Sequence, residues 1–196
     1  MITTNSQKYS KDFKLLRQHS MGTSDLTRHK ETNVVFETYD KLGYNYRLTD
    51  IQAAIGLVQL KKLDLIVKKR RELASLYYKF LENIPSIILP LENIDSKTNH
   101  QSFCIRFANS YCTKKIMQKL LDFGISSRRG ILCAHLEEAY KYQPWTWCGK
   151  NKGEKLNLQH SQNARDQSII LPLFHSLEKE NVEFICEKLT SIIKNY

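Results

Sequence analysis

The chain has 196 residues, 41% of them hydrophobic and 26% charged, with a formal net charge of +10. That length and composition suit one domain, or one domain with an appendage, and supply enough apolar side chains for a packed core. The N-terminus is polar and no stretch approaches the roughly twenty apolar residues of a membrane span, so no membrane association and a cytoplasmic setting are expected.

Five cysteines, Cys104, Cys112, Cys133, Cys148 and Cys186, form an odd set with no Cys-x-x-Cys pair. This argues against a secreted disulfide framework and against structural zinc, and predicts reduced, mostly buried thiols. The basic residues are spread along helices, as in Lys61-Lys62 and Lys68 to Arg71. They read as solvated faces, and no nucleic-acid recognition motif accompanies them, so nucleic acid is not an expected partner.

In chain order, Ser6 to His19 reads as a short helix with Phe13, Leu16 and Arg17 on one side. Met21 to Lys30 is loop-like, and Asn33 to Thr38 leans towards strand. Thr49 and Gln52 have capping-box spacing ahead of a helix whose Ile51, Ala54, Ile55 and Val58 recur at helical intervals. A second stripe, from Leu63 through Ile66, Val67, Arg70, Leu73, Ala74, Tyr77 and Leu81, follows after a change of phase, which predicts a bend near Leu63-Asp64. Pro85 closes this helical region.

Ser86 to Leu91 and Ser102 to Phe107 read as strands. Thr113 to Phe123 reads as an amphipathic helix, with Thr113 as its cap and Gly124 as its stop. Ile125 to Ile131 reads as extended, Pro144 to Lys155 as irregular, and Gln159 to Ser168 as helical. Ser176 is the expected cap of the terminal helix. Alternating strands and helices make an α+β domain.

Several strings carry a more specific likeness. Gly43-Tyr44-Asn45-Tyr46-Arg47-Leu48-Thr49-Asp50-Ile51-Gln52-Ala53-Ala54 comes first. Gln59 to Asp64 and Lys69 to Ala74 follow. Ile125 to Ile131 with His135 and Ala139-Tyr140, and finally Leu171-Pro172-Leu173-Phe174, complete the set. Together they resemble the DegT/DnrJ/EryC1/StrS family, pyridoxal-phosphate (PLP)-dependent aminotransferases acting mostly on nucleotide-linked keto sugars.

The resemblance implies the C-terminal small domain of a fold-type I aminotransferase plus a long helical connector. Residues 1–47 would be the remnant of the large domain and an interface loop, 48–84 the connector and 85–196 the small domain. Met1 to Asn5 looks like what directly follows the glycine pair after the Schiff-base lysine. The large cofactor domain and that lysine are therefore expected to be missing, and the chain alone to be inactive.

The likeness also implies site residues. Asn45 matches the asparagine that bonds the PLP phosphate of a neighbouring subunit, and Arg47 lies beside it; an amide and a guanidinium both suit phosphate. Arg128, Arg129 and His135 match a segment near the sugar-nucleotide pocket, where they would meet the diphosphate or a sugar hydroxyl. His19 follows a helix whose family counterpart ends near the active site. Tyr140, Tyr142, Trp145 and Trp147 could offer a stacking surface. No catalytic residue is expected in this chain, and no metal ligand.

The implied partners are a nucleotide sugar, an amino-acid donor such as glutamate, and either a second copy or a complementing large-domain chain. A rival reading is a non-catalytic remnant or binding module that associates with a partner through exposed helical stripes.

Overall fold

The computed structural model describes residues 2–22, 36–39, 41–108, 111–141 and 158–196, and of Lys141 the backbone only. The chain divides into two compact units, 1–61 and 62–196. The division falls inside the 48–84 stretch, so the two helices of that stretch belong to different units.

In the first unit, α1 spans Gln7–Leu16. Ser6 precedes it in extended conformation, and its hydroxyl accepts from the Tyr9 N–H at 3.4 Å. The helix stops short of the expected His19, because His19 and Ser20 turn the chain at φ of 57° and 55°. Two consecutive non-glycine residues in that region cost roughly 1–3 kcal/mol each. The cost is met by a second strand of chain: the Tyr44 N–H donates to Leu16 O (2.7 Å), the His19 N–H to Tyr44 O (2.9 Å), and the Tyr46 N–H to Arg17 O (2.9 Å).

Gly43 makes the approach possible. A Cβ there would lie 2.2 Å from His19 C and Ser20 N, too close for any side chain. Of the expected strand at Asn33 to Thr38, residues 33–35 lie outside the described residues and 36–38 form none; only Tyr39 pairs, with Met21.

Helix α2 covers Asp50–Lys61. Its capping box is formed as expected: the Thr49 N–H donates to Gln52 Oε1 at 3.0 Å and the Gln52 N–H to Thr49 Oγ1 at 3.3 Å. No residue of α2 is buried, although Ile51, Ile55, Leu57, Val58 and Leu60 are all large and apolar.

In the second unit, α3 (Leu63–Leu81) begins after a one-residue break at the expected place. It buries Leu73, Ala74, Tyr77 and Leu81, one stripe of its second half. Four antiparallel strands follow: β1 (Ile87–Ile88), β2 (Phe103–Phe107), β3 (Arg128–Arg129) and β4 (Ser168–Leu171), in the order β1-β2-β4-β3. Alternation puts Phe103, Ile105 and Phe107 on one face of β2, all fully buried.

That face packs with α3, α4 (Thr113–Asp122) and α7 (Lys179–Lys194) into one core. Tyr77 lies at its centre, stacked on Phe103 at 4.8 Å, with its hydroxyl donating to Pro172 O at 2.7 Å. The remaining elements are a 3-10 turn (Ala134–Leu136), the four-residue α5 (Glu138–Lys141) and α6 (Gln159–Gln167), which touches β2.

Several boundaries differ from the sequence reading. Thr113 is the first residue of α4, not its cap; Cys112 holds that position and makes no side-chain cap bond. Gly124 does stop α4, at φ 78°, with the Gly124 N–H on Leu121 O and the Ile125 N–H on Leu120 O. Ser176 does not cap α7. Glu178 does, in a capping box closed by the Asn181 side chain on the Glu178 N–H at 3.3 Å. Of Ser86 to Leu91 only Ile87–Ile88 pair, and of Ile125 to Ile131 only Arg128–Arg129. Ser168 leaves the α6 helix to open β4.

The loop before β2 is held by two arginines of α3. Arg70 donates to His100 O (2.9 Å) and Gln101 O (2.8 Å); Arg71 donates to Glu92 Oε1 (2.9 Å) and Thr98 O (2.6 Å). His100 is buried beside Tyr78 and Phe103. Burial first, and then the Arg71 charge, holds its imidazole below the ordinary 6.5, against a smaller opposing pull from Glu92.

A histidine with a depressed folded value contributes stability that is present above the unfolded value and lost as pH falls below it. The unfolding free energy is therefore expected to decline as pH drops below about 6.5, in a window above that of the carboxylates. His100→Asn, which tolerates the positive φ of 45°, should flatten that limb in urea titrations. An unchanged slope would remove His100 as its source.

Candidate cofactor and substrate site

In the first unit the extended run from Tyr44 to Arg47 alternates its side chains. Tyr44 and Tyr46 stack on each other with rings 5.1 Å apart and 2° from parallel. They line a groove of about 730 Å³ together with Phe13, Leu16, Lys14 and Arg17. Asn45 and Arg47 share the other register and are brought together: Arg47 Nε donates to Asn45 Oδ1 at 3.5 Å.

That contact uses the amide oxygen of Asn45, so its NH2 group is the donor it can offer a ligand. Both residues are exposed. An amide donor and a guanidinium presented together fit a phosphate group, as PLP carries. His19 contributes its backbone to this loop, through its N–H on Tyr44 O.

In the second unit Arg128 and Arg129 occupy β3, both exposed. Their register separates them. Arg129 is paired with Ile169, itself paired with the buried Ile105, so its side chain leaves on the core-side face; Arg128 is paired with Ile170, opposite Cys104, and leaves on the other. An adjacent arginine pair closing on one diphosphate is not what the strand presents.

Gly130 ends β3 with its N–H on Ser168 O at 3.0 Å. A Cβ at Gly130 would lie 1.9 Å from Ser168 Oγ and 2.9 Å from Cys104 Sγ. His135 sits in the 3-10 turn, half-buried, with Nε2 3.2 Å from Gln162 Nε2 of α6. With the amide nitrogen donating, Nε2 accepts and the ring proton sits on Nδ1. Cys133 Sγ, from the same turn, contacts Ser161 O at 3.3 Å.

Tyr140 is exposed on α5, whereas Tyr142, Trp145 and Trp147, with the whole of Pro144 to Lys155, lie outside the described residues. So does Cys148. Of the other cysteines, Cys133 and Cys186 are buried and burial pushes the Cys186 thiol up to about 12, while Cys112 is exposed. Among the described residues no group of His, Cys, Asp or Glu could hold a metal, and no helix is long and apolar enough to cross a membrane.

Two features escaped the sequence reading. The basic lining of the first groove carries no local signal because Lys14 and Arg17 sit outside the motif that dominates it. The Gln162 contact to His135 joins residues 27 positions apart, which no local pattern encodes.

Residues 1–190 match the DegT/DnrJ/EryC1/StrS aminotransferase family, whose members are PLP-dependent. A UDP-4-amino-4,6-dideoxy-N-acetyl-beta-L-altrosamine transaminase of Campylobacter jejuni is 27% identical over 98% of this chain and 47% of its own length. The spore coat polysaccharide biosynthesis protein SpsC of Bacillus subtilis is 24% identical over 99% of this chain and 49% of its own. The solved structure of Helicobacter pylori PseC, an aminotransferase of pseudoaminic acid biosynthesis, superposes with a TM-score of 0.79 at 22% identity, over 98% of this chain and 48% of that one, a likeness of fold.

The chain thus spans about half the length of the curated relatives it matches. With the match running through almost every residue, from the first threonines to the terminal helix, the chain belongs to the DegT/DnrJ/EryC1/StrS aminotransferase family.

Proposed function

We propose that this chain forms the carboxy-terminal portion of a PLP-dependent aminotransferase. The assembled enzyme moves an amino group from an amino acid, glutamate in the simplest case, to a nucleotide-linked keto sugar in cell-surface polysaccharide or aminosugar biosynthesis. The observation that carries the reading is the family match over residues 1–190 together with Asn45 and Arg47 held side by side in an exposed loop.

When bound, PLP supplies the electron sink for the transfer. The residues of this chain bind and orient. Asn45 donates its amide N–H to a phosphate oxygen, and Arg47 adds a second charged donor beside it. Arg128 and His135 hold the anionic or hydroxyl-bearing part of the sugar nucleotide, one by charge and one by Nδ1–H. None of them moves the reacting proton.

The cofactor-anchoring lysine is assigned to a large domain supplied by sequence beyond these residues or by a second chain. A second copy or that large domain also covers α2, whose apolar side chains point in every direction without burial.

The test is the 196-residue chain purified with PLP and reduced with borohydride. No lysine is expected to retain the cofactor; a pyridoxyl group fixed on one specific lysine would overturn the assignment. Sedimentation with a candidate large-domain chain separates the rival binding-module reading. A stoichiometric heteromer that transaminates supports the split enzyme, and a heteromer inert towards glutamate supports a non-catalytic module.

A further inference from the structure

The separation of Arg128 from Arg129 leaves Arg129 on the core-side face of the sheet, away from its neighbour. It lines a groove of about 530 Å³ between the start of α4 and the β3 segment. That volume lies within the ~300–1,000 Å³ of small-molecule sites. Lys114, from the first turn of α4, lines the same groove, and among the described residues no acidic side chain does. The nearest carboxylate on α4, Asp122, accepts from Gln118 Nε2 at 2.9 Å.

Neither Lys114 nor Arg129 has an ion-pair partner among the described residues. Two unneutralised cations therefore converge on one concavity.

A second observation points the same way. Ser127 also lines the groove, two positions before Arg129 and hence on the same side of the extended segment. Its hydroxyl oxygen is enclosed and has no hydrogen-bond partner among the described residues. A buried hydroxyl is ordinarily paired, because leaving it unpaired costs roughly 1–3 kcal/mol. The hydroxyl is closed to solvent as it stands; a χ1 turn toward the groove would give it an oxyanion held by Lys114 and Arg129 as its acceptor. The apolar part of the lining, Met117 and Leu132, would lie against the body of the ligand.

The geometry points to a second anion site in this chain, between α4 and β3, that takes the phosphate group of a small molecule with an apolar body. Lys114 and Arg129 neutralise the phosphate by charge-assisted hydrogen bonds and the Ser127 hydroxyl donates to it. The site stands independently of the aminotransferase reading. It lies wholly in the 62–196 unit, and its test needs neither PLP nor sugar nucleotide.

The test is an NMR titration of the 196-residue chain with inorganic phosphate and with phenyl phosphate, at constant ionic strength. Saturable shifts are expected at the amides of Lys114 and of Ser126 to Arg129, with phenyl phosphate binding tighter than phosphate. R129Q and K114Q change exposed side chains, so both variants should fold; each should weaken binding about tenfold.

S127A gives the sharper separation. It should leave the stability of the ligand-free chain unchanged or raised, since it removes an unpaired buried hydroxyl, while weakening phosphate binding. The proposal is overturned if phosphate produces no saturable shift at these amides, if chloride reproduces the shifts, or if R129Q and K114Q bind as tightly as the parent chain.

Discussion

Replacing Tyr77 with alanine is expected to lower the unfolding free energy of the 62–196 unit by about 3–5 kcal/mol. The ring is wholly buried, stacks on Phe103 at 4.8 Å and joins α3 to the sheet. Deleting it removes its transfer free energy and leaves a cavity among Leu73, Leu81 and the inner face of β2, all of them in the same core.

Tyr77→Phe divides that effect. It keeps the ring and removes only the hydroxyl that donates to Pro172 O, so about 1–2 kcal/mol is expected. Burial holds the phenol far above its ordinary range, so it stays protonated and donating at any working pH. Urea titrations should show both variants with lower midpoints and an unchanged m value. A loss in Tyr77→Phe equal to that in Tyr77→Ala would mean that the Pro172 bond, rather than ring packing, holds α3 in place.

Gly43→Ala is expected to be the most damaging single change in the first unit. Its new methyl would meet backbone atoms of His19 and Ser20 at 2.2 Å, and backbone, unlike a flexible side-chain tip, cannot rotate away. Overpacking usually costs about 1–3 kcal/mol; with no rotamer to relieve it, a cost near 3 kcal/mol is expected.

The readout is amide exchange at Tyr44 and Tyr46, whose N–H groups donate to Leu16 O and Arg17 O. Their protection should fall about a hundredfold. Parent-like protection would show that the loop tolerates a Cβ and that Asn45 is positioned by something else. In the proposed enzyme the same variant should release PLP more readily, because the proposed phosphate-binding residues Asn45 and Arg47 ride on this loop.

The features that the sequence disclosed are the local ones. The Thr49–Gln52 box, the break before Leu63 and the stop at Gly124 each depend on residues within one helical turn, and each formed where the pattern placed it. The end of α1 was misjudged because its reversal at His19 is enforced from Tyr44, far along the chain.

Ser176 looked like a cap by residue type. The helix instead starts beyond it, where Glu178 and Asn181 satisfy each other's backbone. The closing strand that the resemblance implies at Leu171 to Phe174 lies three residues earlier, at Ser168–Leu171: Ile169, Ile170 and Leu171 form an apolar run without alternation, and pairing with β2 and β3 on either side makes them a central strand. The arginine pair shows the limit most plainly. Adjacency in sequence suggested a shared ligand, but adjacency within a strand sends the two side chains to opposite faces.

A strand only two residues long has little of its own to stop it sliding along its neighbour, and a slide of one place would exchange Arg128 and Arg129 between the two sides of the sheet. Gly130 works as a ratchet stop against that error. Only a bare α-carbon clears the Ser168 side chain at that spot, so a shifted ladder would drive Arg129 or Ile131 into a space that admits neither, and each guanidinium stays committed to its own side of the layer.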